Sequence, residues 1–219
     1  MAHVIPFHGT LYNPATVGDV RQVVAPPYDI IDATLQKTLH DRHPNNVIRL
    51  ELGYEQPGDT TGDNKYLRAA GALKEWLKSG ALRRDDKPAI YYHTIEYQPP
   101  YSAPGTPTKV FKGFLSTVEL EEFGSGKIYP HENTRAAAKT DRFNLLEACR
   151  ANFSAIISLY SDPQNDVLTL IEQSIASDKP RIDFQDDVGF RQRLWSVTDP
   201  AVLAKVVEIA FKCIRALGY

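Results

Sequence analysis

The chain has 219 residues, of which 42% are hydrophobic and 24% are charged, the composition of an ordinary globular protein with a substantial buried core. Its 25 Lys and Arg residues nearly balance its 27 Asp and Glu residues, which excludes a general attraction to nucleic acid or to an anionic membrane. Any anion-binding site must therefore be a local feature.

Three short strands are predicted in the first quarter of the chain. Val4–Phe7 and Val20–Ala25 are apolar runs, and the second ends at Pro26 and Pro27 because proline donates no N–H group to a strand pair. The third, Val47–Leu52, alternates apolar and charged residues, which is the pattern of a half-buried strand.

Two helices are predicted on either side of that third strand. The first begins with Asp32 as its cap and ends at Arg42, because Pro44 disfavours helical geometry at the residue before it. A polar, glycine-rich loop at residues 53–63 precedes the second helix, which Gly80 ends. The apolar face predicted for the second helix consists of Leu67, Ala70, Leu73, Trp76 and Leu77.

The second half of the chain predicts hairpins mixed with helices. In chain order it predicts a hairpin of Ala89–Gln98 and Lys109–Leu120, a helix to about Ala151, a buried strand at Ala155–Tyr160, a helix at Asp166–Ala176, a hairpin of Arg181–Phe184 and Arg191–Val197, and a last helix with Asp199 as its cap. This order predicts an α+β (mixed α/β) fold, with a mixed or antiparallel sheet, hairpins and packed helices, rather than a strict βαβ array.

The localisation is predicted from targeting signals and cysteines. The first residues have neither the basic nor the apolar region of a signal peptide, and no apolar run approaches the ~20 residues of a membrane-spanning helix. Cys149 and Cys213 lie in helical patterns, which is typical of reduced thiols. We therefore expect a cytoplasmic protein that contacts neither a membrane nor nucleic acid.

The segment 130–142, PHENTRAAAKTDR, is the strongest candidate for a functional site. On one helix, Arg135, Lys139 and Arg142 share a face that continues into Leu146 and Cys149, which have the spacing of core positions. Burying three cations is costly unless they meet an anion or an acidic partner.

Three interpretations of this segment remain open. The helix begins only at Thr140 or Asp141, or the cations line an anion pocket at the helix N-terminus, where the free N–H groups and the dipole favour negative charge. In the third, the segment is a solvated helix start in which Asp141 pairs with Arg142 or Lys139. His131 and Glu132 form a candidate acid/base pair, although neighbours in sequence seldom converge on one substrate atom.

Standard site motifs are absent from the sequence. Its six histidines include no helical H-x-x-x-H pair and no close His/Cys set, so no metal site is predicted. The glycine-rich dinucleotide motif, the phosphate-binding P-loop and the G-x-S-x-G nucleophile motif are absent too.

Eight short phrases nevertheless occur in a specific order. They are VAPPYD (24–29), HPNNVIRL (43–50), PGD (57–59), NKY (64–66), PHE with Thr134 (130–134), Lys139 with Asp141 and Arg142, RANFS (150–154) and RLW (193–195). Together they resemble the prokaryotic family known as domain of unknown function 1015, over residues 1 to about 205.

The resemblance implies a nucleotide-dependent function. Past the point that matches Trp195, family members carry an Asp-Gly-His-His-Arg-Tyr stretch, which is similar to the nucleotide-site motif of free-serine kinases and of ParB-like partition proteins. By this analogy the family transfers phosphoryl groups to a small hydroxylated molecule, with ATP or ADP and Mg as cofactors. The present sequence has no His-His-Arg, so we expect residues 1–219 to form one N-terminal family domain that lacks a catalytic half.

The resemblance also assigns roles within the candidate site. Thr134, Lys139 and Arg142 are expected to bind phosphate. Asp29, His131 and Glu132 are the candidates for the base or for a carboxylate that bridges to a metal. The supporting residues are Tyr28, Arg49, Asp141 and Asn152. Arg135 departs from the family pattern and is left out.

Two other functional readings stay open. One is a non-catalytic module that binds a nucleotide or an acidic metabolite and regulates a partner. The other is a truncated remnant with no function of its own. The remnant predicts an exposed apolar patch where a second half would dock, and hence a homodimer through that surface.

Overall fold

The structure is a computed structural model that describes residues 3–103, 105–122, 128–129 and 135–215. The chain divides into two compact units. The sheet unit comprises the described residues within 1–9, 85–131 and 157–219, and the helical unit comprises those within 10–84 and 132–156. The helices and antiparallel sheets confirm the predicted α+β class.

The regular elements are numbered in chain order. The helices are α1 (Pro14–Val17), α2 (Ala33–Arg42), α3 (Ile48–Glu51), α4 (Lys65–Ser79), α5 (Ala136–Cys149), α6 (Asp166–Ser174) and α7 (Pro200–Arg215). The strands are β1 (Val4–Ile5), β2 (Thr10–Tyr12), β3 (Leu82–Arg84), β4 (Ile90–Tyr97), β5 (Lys109–Leu115), β6 (Thr117–Val118), β7 (Ile182–Gln185) and β8 (Arg191–Val197). Among the described residues, no helix is long and apolar enough to span a bilayer.

The sheet unit is built on an antiparallel sheet with strand order β5-β4-β8-β7. Both predicted hairpins are present, because β4 pairs with β5 and β7 pairs with β8. The core of this unit includes Ile90 on β4, Val167 and Ile171 on α6, and Val206 on α7, all fully buried. Each such side chain contributes roughly 1.5–3 kcal/mol through burial. Asp199 accepts N–H groups at the start of α7, as predicted.

In the helical unit, two predicted capping residues lie at the helix ends where they were expected. The Asp32 side chain accepts the Leu35 N–H at the start of α2. Gly80 ends α4 with a φ of 78°, a left-handed conformation that glycine adopts without strain. The core of this unit contains Val23, Leu50 and Trp76.

The buried face of α4 differs in part from the prediction. Trp76 is buried and Leu73 packs against the core, but Leu67 and Leu77 are exposed. Ala69 is buried and Ala72 packs against the core as well. The buried face of α4 is therefore narrower than predicted, and Leu67 and Leu77 lie at its edges.

Two predicted strands near the N-terminus are wrong. Val20–Gln22 is a turn of 3-10 helix, begun by the Asp19 side chain, which accepts the Arg21 N–H. Ile48–Glu51 is the helix α3. The fully buried Asn46 explains the second error, because its side chain accepts the Ile48 N–H and donates to two backbone carbonyls upstream.

The predicted buried strand at residues 155–160 is also wrong. The segment has no regular secondary structure, and Ile156 and Leu159 are 86% and 88% exposed. Apolar composition alone does not make a strand, because a strand also needs a partner for its backbone hydrogen bonds. Within the described residues, no strand pairs with this segment.

Candidate functional site

The N-terminus of α5 lies in the candidate segment. The helix begins at Ala136, not at Thr140 or Asp141, and Arg135 occupies the cap position without a capping hydrogen bond from its side chain. The first turn contains no acidic residue. The first N–H groups of a helix have no partner within the helix, so this end offers donors and a positive dipole to an anion.

The cations of the segment lie in different environments. Arg135 and Lys139 are exposed, whereas Arg142 is half-buried. The buried residue of α5 is Leu145, and Leu146 is exposed, so the core stripe does not run through all three cations. The structure therefore does not bury all three cations on one helix face, and the predicted cost of burying them does not arise.

Arg142 is held by contacts on several sides. Its Nη2 donates to the Glu51 carbonyl oxygen at 2.8 Å, and its Nε donates to Asp141 Oδ2 at 3.0 Å. Its Cζ lies 4.3 Å from the centroid of the Tyr28 ring. Arg142 therefore links α5 to α3 and to the turn at Tyr28, and a phosphate would reach its guanidinium most directly by replacing Asp141.

Asp141 connects Arg142 to further residues, and together they form a network of hydrogen bonds and ion pairs. It accepts from the Tyr66 hydroxyl and from Lys65 Nζ, each at 2.9 Å. Burial by itself would raise the pKa of Asp141, but the hydrogen bonds from Arg142, Lys65 and Tyr66 lower it below its ordinary value. The carboxylate is therefore ionised at neutral pH.

Glu51 is the most deeply buried carboxylate of the network. Its side chain is 10% exposed and lies 3.5 Å from Arg142 Nη1, while the Ser154 hydroxyl donates to its Oε1. Burial raises the pKa of Glu51, and the charge of Arg142 opposes that rise. A small cavity adjoins this carboxylate and is lined by Leu50, Leu52, Gly53, Leu145 and four residues of the network, Lys65, Tyr66, Asp141 and Arg142.

The charges of this cluster largely neutralise one another. Lys65 pairs with Glu55 at 3.0 Å as well as with Asp141. Two cations, Lys65 and Arg142, thus face the three carboxylates of Glu51, Glu55 and Asp141. With two cations and three carboxylates, the cluster has no excess of positive charge to attract an anion.

The structure brings some of the predicted site residues together and separates others. Tyr28, Asp141 and Arg142 are in contact or hydrogen-bonded. Asp29 and Asn152 are exposed. Arg49 donates to the carbonyl of His40 at 2.7 Å, and no hydrogen-bond partner is found for its buried Nε within the described structure. The predicted residues His131, Glu132 and Thr134 lie outside the described residues.

Five residues of the network are not among the predicted site residues, namely Glu51, Glu55, Lys65, Tyr66 and Ser154. A signal was present for three of them, because Lys65 and Tyr66 belong to the NKY phrase and Ser154 ends the RANFS phrase. The sequence pattern predicts Glu51 as a charged position of an alternating strand, whereas in the structure it is the last residue of α3.

Comparison with known families identifies the chain. The model of a protein family described as "Protein of unknown function (DUF1015)" matches residues 4–216. The chain belongs to the DUF1015 family. No curated protein and no solved structure matches it.

The cofactors implied by the family resemblance can be compared with this DUF1015 site. The first turn of α5 contains no acidic residue that would repel a phosphate. The part of the chain that the structure describes contains no group of three or more His, Cys, Asp or Glu residues that could hold a metal ion. The described residues therefore supply no magnesium site of their own.

Proposed function

We propose that the helical unit binds the phosphate groups of a nucleotide or of a small phosphorylated metabolite at the N-terminus of α5. In this proposal the site is part of a phosphotransferase that acts on a small hydroxylated molecule. The observation that carries it is the first turn of α5, which has no side-chain cap from Arg135, no acidic residue and an exposed Lys139.

The chemistry of this turn supports phosphate rather than a neutral ligand. The three residues that begin the helix, Ala136 to Ala138, are alanines, so no large side chain shields their N–H groups. The positive end of a helix dipole stabilises an anion by roughly 0.3–1 kcal/mol. A charge-assisted hydrogen bond from Lys139 adds to that attraction.

Arg142 has a conditional role in this proposal. Its guanidinium already binds Asp141 and the Glu51 carbonyl, so it contacts phosphate only when phosphate replaces Asp141. We therefore assign the direct contact to Lys139 and an exchange-dependent contact to Arg142. Asp141 and Lys65 then serve to hold α5 in place.

The remaining roles in this proposal are assigned from the sequence alone. Thr134 precedes the helix and would donate its hydroxyl to phosphate. His131, Glu132 and Asp29 remain the candidates for the base that accepts the proton of the substrate hydroxyl. ATP or ADP is the proposed nucleotide.

The test is a calorimetric titration of the chain with ATP, with ADP and with inorganic phosphate. We expect saturable binding that Lys139→Ala weakens about 10-fold, the equivalent of roughly 1.4 kcal/mol. Lys78→Ala is the matched control, because Lys78 is also an exposed lysine on a helix of the same unit. Equal effects of the two variants, or no saturable binding, would contradict the proposal. Binding without turnover of ATP would favour the non-catalytic module instead.

A further inference from the structure

In the helical unit, the hydroxyl of an exposed serine is hydrogen-bonded to a buried carboxylate. The Ser154 hydroxyl donates to Glu51 Oε1, and Ser154 itself is exposed to solvent. The Glu51 side chain is 10% exposed. One partner of the hydrogen bond is therefore accessible to a reagent, while the other is shielded from water.

The protein core holds both partners in place. Leu50, which precedes Glu51, is buried in the core of the helical unit, and Phe153, which precedes Ser154, packs against the same core. Arg142 fixes Glu51 further by donating to its carbonyl oxygen at 2.8 Å. The hydrogen bond thus joins two anchored residues that are far apart in sequence.

This arrangement has the parts of an activated nucleophile. A hydroxyl reacts when a neighbouring base takes its proton, and the base needs to lie within hydrogen-bond distance. A carboxylate removed from water is a stronger base than an exposed one, because burial raises its pKa. The charge of the adjacent Arg142 opposes that rise of the pKa and favours the ionised carboxylate.

We propose that Ser154 is a nucleophile and Glu51 its general base, and that Ser154 accepts a phosphoryl group from a nucleoside triphosphate. Ser154 Oγ forms a bond to the γ-phosphorus, and the bond from that phosphorus to its bridging oxygen breaks. The nucleoside diphosphate leaves with the electron pair, and the hydroxyl proton passes to Glu51. The identity of the phosphoryl donor rests on the proposed function, whereas the reactivity of Ser154 does not.

A purely structural role gives a different expectation. In that case the hydroxyl only satisfies a carboxylate that would otherwise lack a hydrogen bond, and Ser154 reacts no faster than any exposed serine. Ser158 and Ser177 are exposed serines of the same chain and provide internal references.

The experiment treats the whole chain with diisopropyl fluorophosphate and follows labelling at each serine by peptide mass spectrometry. Attack by Oγ on phosphorus expels fluoride, so the probe needs no nucleotide site. We expect Ser154 to be labelled about 100-fold faster than Ser158 and Ser177, which is the size of a general-base contribution. Glu51→Gln should remove that advantage, and Ser154→Ala should remove the label at that site.

The outcomes separate this inference from the proposed function. Equal labelling of the three serines in the wild-type chain overturns the inference without the need for any variant. If Glu51→Gln fails to fold by circular dichroism, Glu51→Asp replaces it, and labelling that is insensitive to the substitution also overturns the inference. A second arm incubates the chain with ATP and maps added phosphate. Phosphate on Ser154 supports both proposals, whereas Glu51-dependent labelling by the probe without phosphorylation supports the nucleophile and overturns ATP as its donor.

Discussion

The guanidinium of Arg142 lies over the ring of Tyr28, with Cζ 4.3 Å from the ring centroid. The two residues are far apart in sequence and belong to two of the phrases in which the sequence resembles the DUF1015 family. The stack covers one face of the guanidinium, while its edge donates to Asp141 and to the Glu51 carbonyl. Arg142 is thus a cross-link of the helical unit as well as a candidate ligand.

Removing Arg142 should destabilise the chain. Arg142→Ala leaves the partly buried Glu51 without its cation and leaves Asp141 with Lys65 alone, which costs about 1–3 kcal/mol for a partly exposed network. Arg142→Lys keeps the charge but loses the fork of hydrogen bonds, so we expect an intermediate loss. Urea unfolding measures both variants, with Lys139→Ala as the control that should change stability little. A full rescue by lysine would show that charge alone matters at this position.

The stability of the network should depend on pH through Asp141. The folded state lowers the pKa of Asp141, so its contribution is present above the unfolded pKa and is lost as pH falls through the folded pKa. Glu51 acts in the opposite sense, because its pKa is raised and its contribution is lost as pH rises through the folded pKa. The two carboxylates therefore oppose each other in the acidic range.

Asp141→Asn isolates one of these contributions. We expect the free energy of unfolding to fall relative to wild type at neutral pH, and the difference between the two proteins to shrink as the pH is lowered below about 4. Urea unfolding across that range gives the difference directly. A constant difference at all pH values would mean that Asp141 stabilises the fold without its charge.

Local signals in the sequence were enough to predict the helix ends and the hairpins. Asp32 and Gly80 work through backbone atoms a few residues away, so their effects depend little on the rest of the fold. The strand predicted at Val47–Leu52 failed because the buried Asn46 binds carbonyls of a segment more than twenty residues upstream. Such a contact overrides a local alternation and cannot be inferred from it.

The candidate site was predictable to the same limited extent. The pairing of Asp141 with Arg142 follows from adjacency and was one of the three interpretations. The contacts to Glu51 and Lys65 join residues that are separated by 91 and by more than 70 positions, so only the fold reveals them. The sequence phrases suggested candidate residues, but they did not indicate which of those residues are in contact.

Gly9 should tolerate no side chain. A Cβ there would lie 2.5 Å from the ring of Tyr91, whose hydroxyl accepts the Gly9 N–H at 2.7 Å and donates to Asp85 at 2.7 Å. Gly9→Ala therefore forces a buried ring to move, at a cost of about 1–3 kcal/mol. Gly71→Ala is the matched control, because Gly71 lies in α4 with open space around it and alanine should stabilise the helix by about 0.5–1 kcal/mol. Thermal unfolding should shift in opposite directions for the two variants, and a parallel shift would contradict the steric argument.

The exposed apolar segment should promote self-association. Ile156, Ile157 and Leu159 are all largely exposed and lie within four residues of one another. Contiguous apolar side chains in water favour association, so we expect the apparent mass in light scattering to rise with protein concentration. The double substitution Ile156→Ser and Leu159→Ser should lower that rise. The control is Ile30→Ser, which removes an exposed isoleucine that lies outside this segment. If both proteins associate as the wild type does, the contact lies elsewhere on the surface, and the segment has no part in a homodimer.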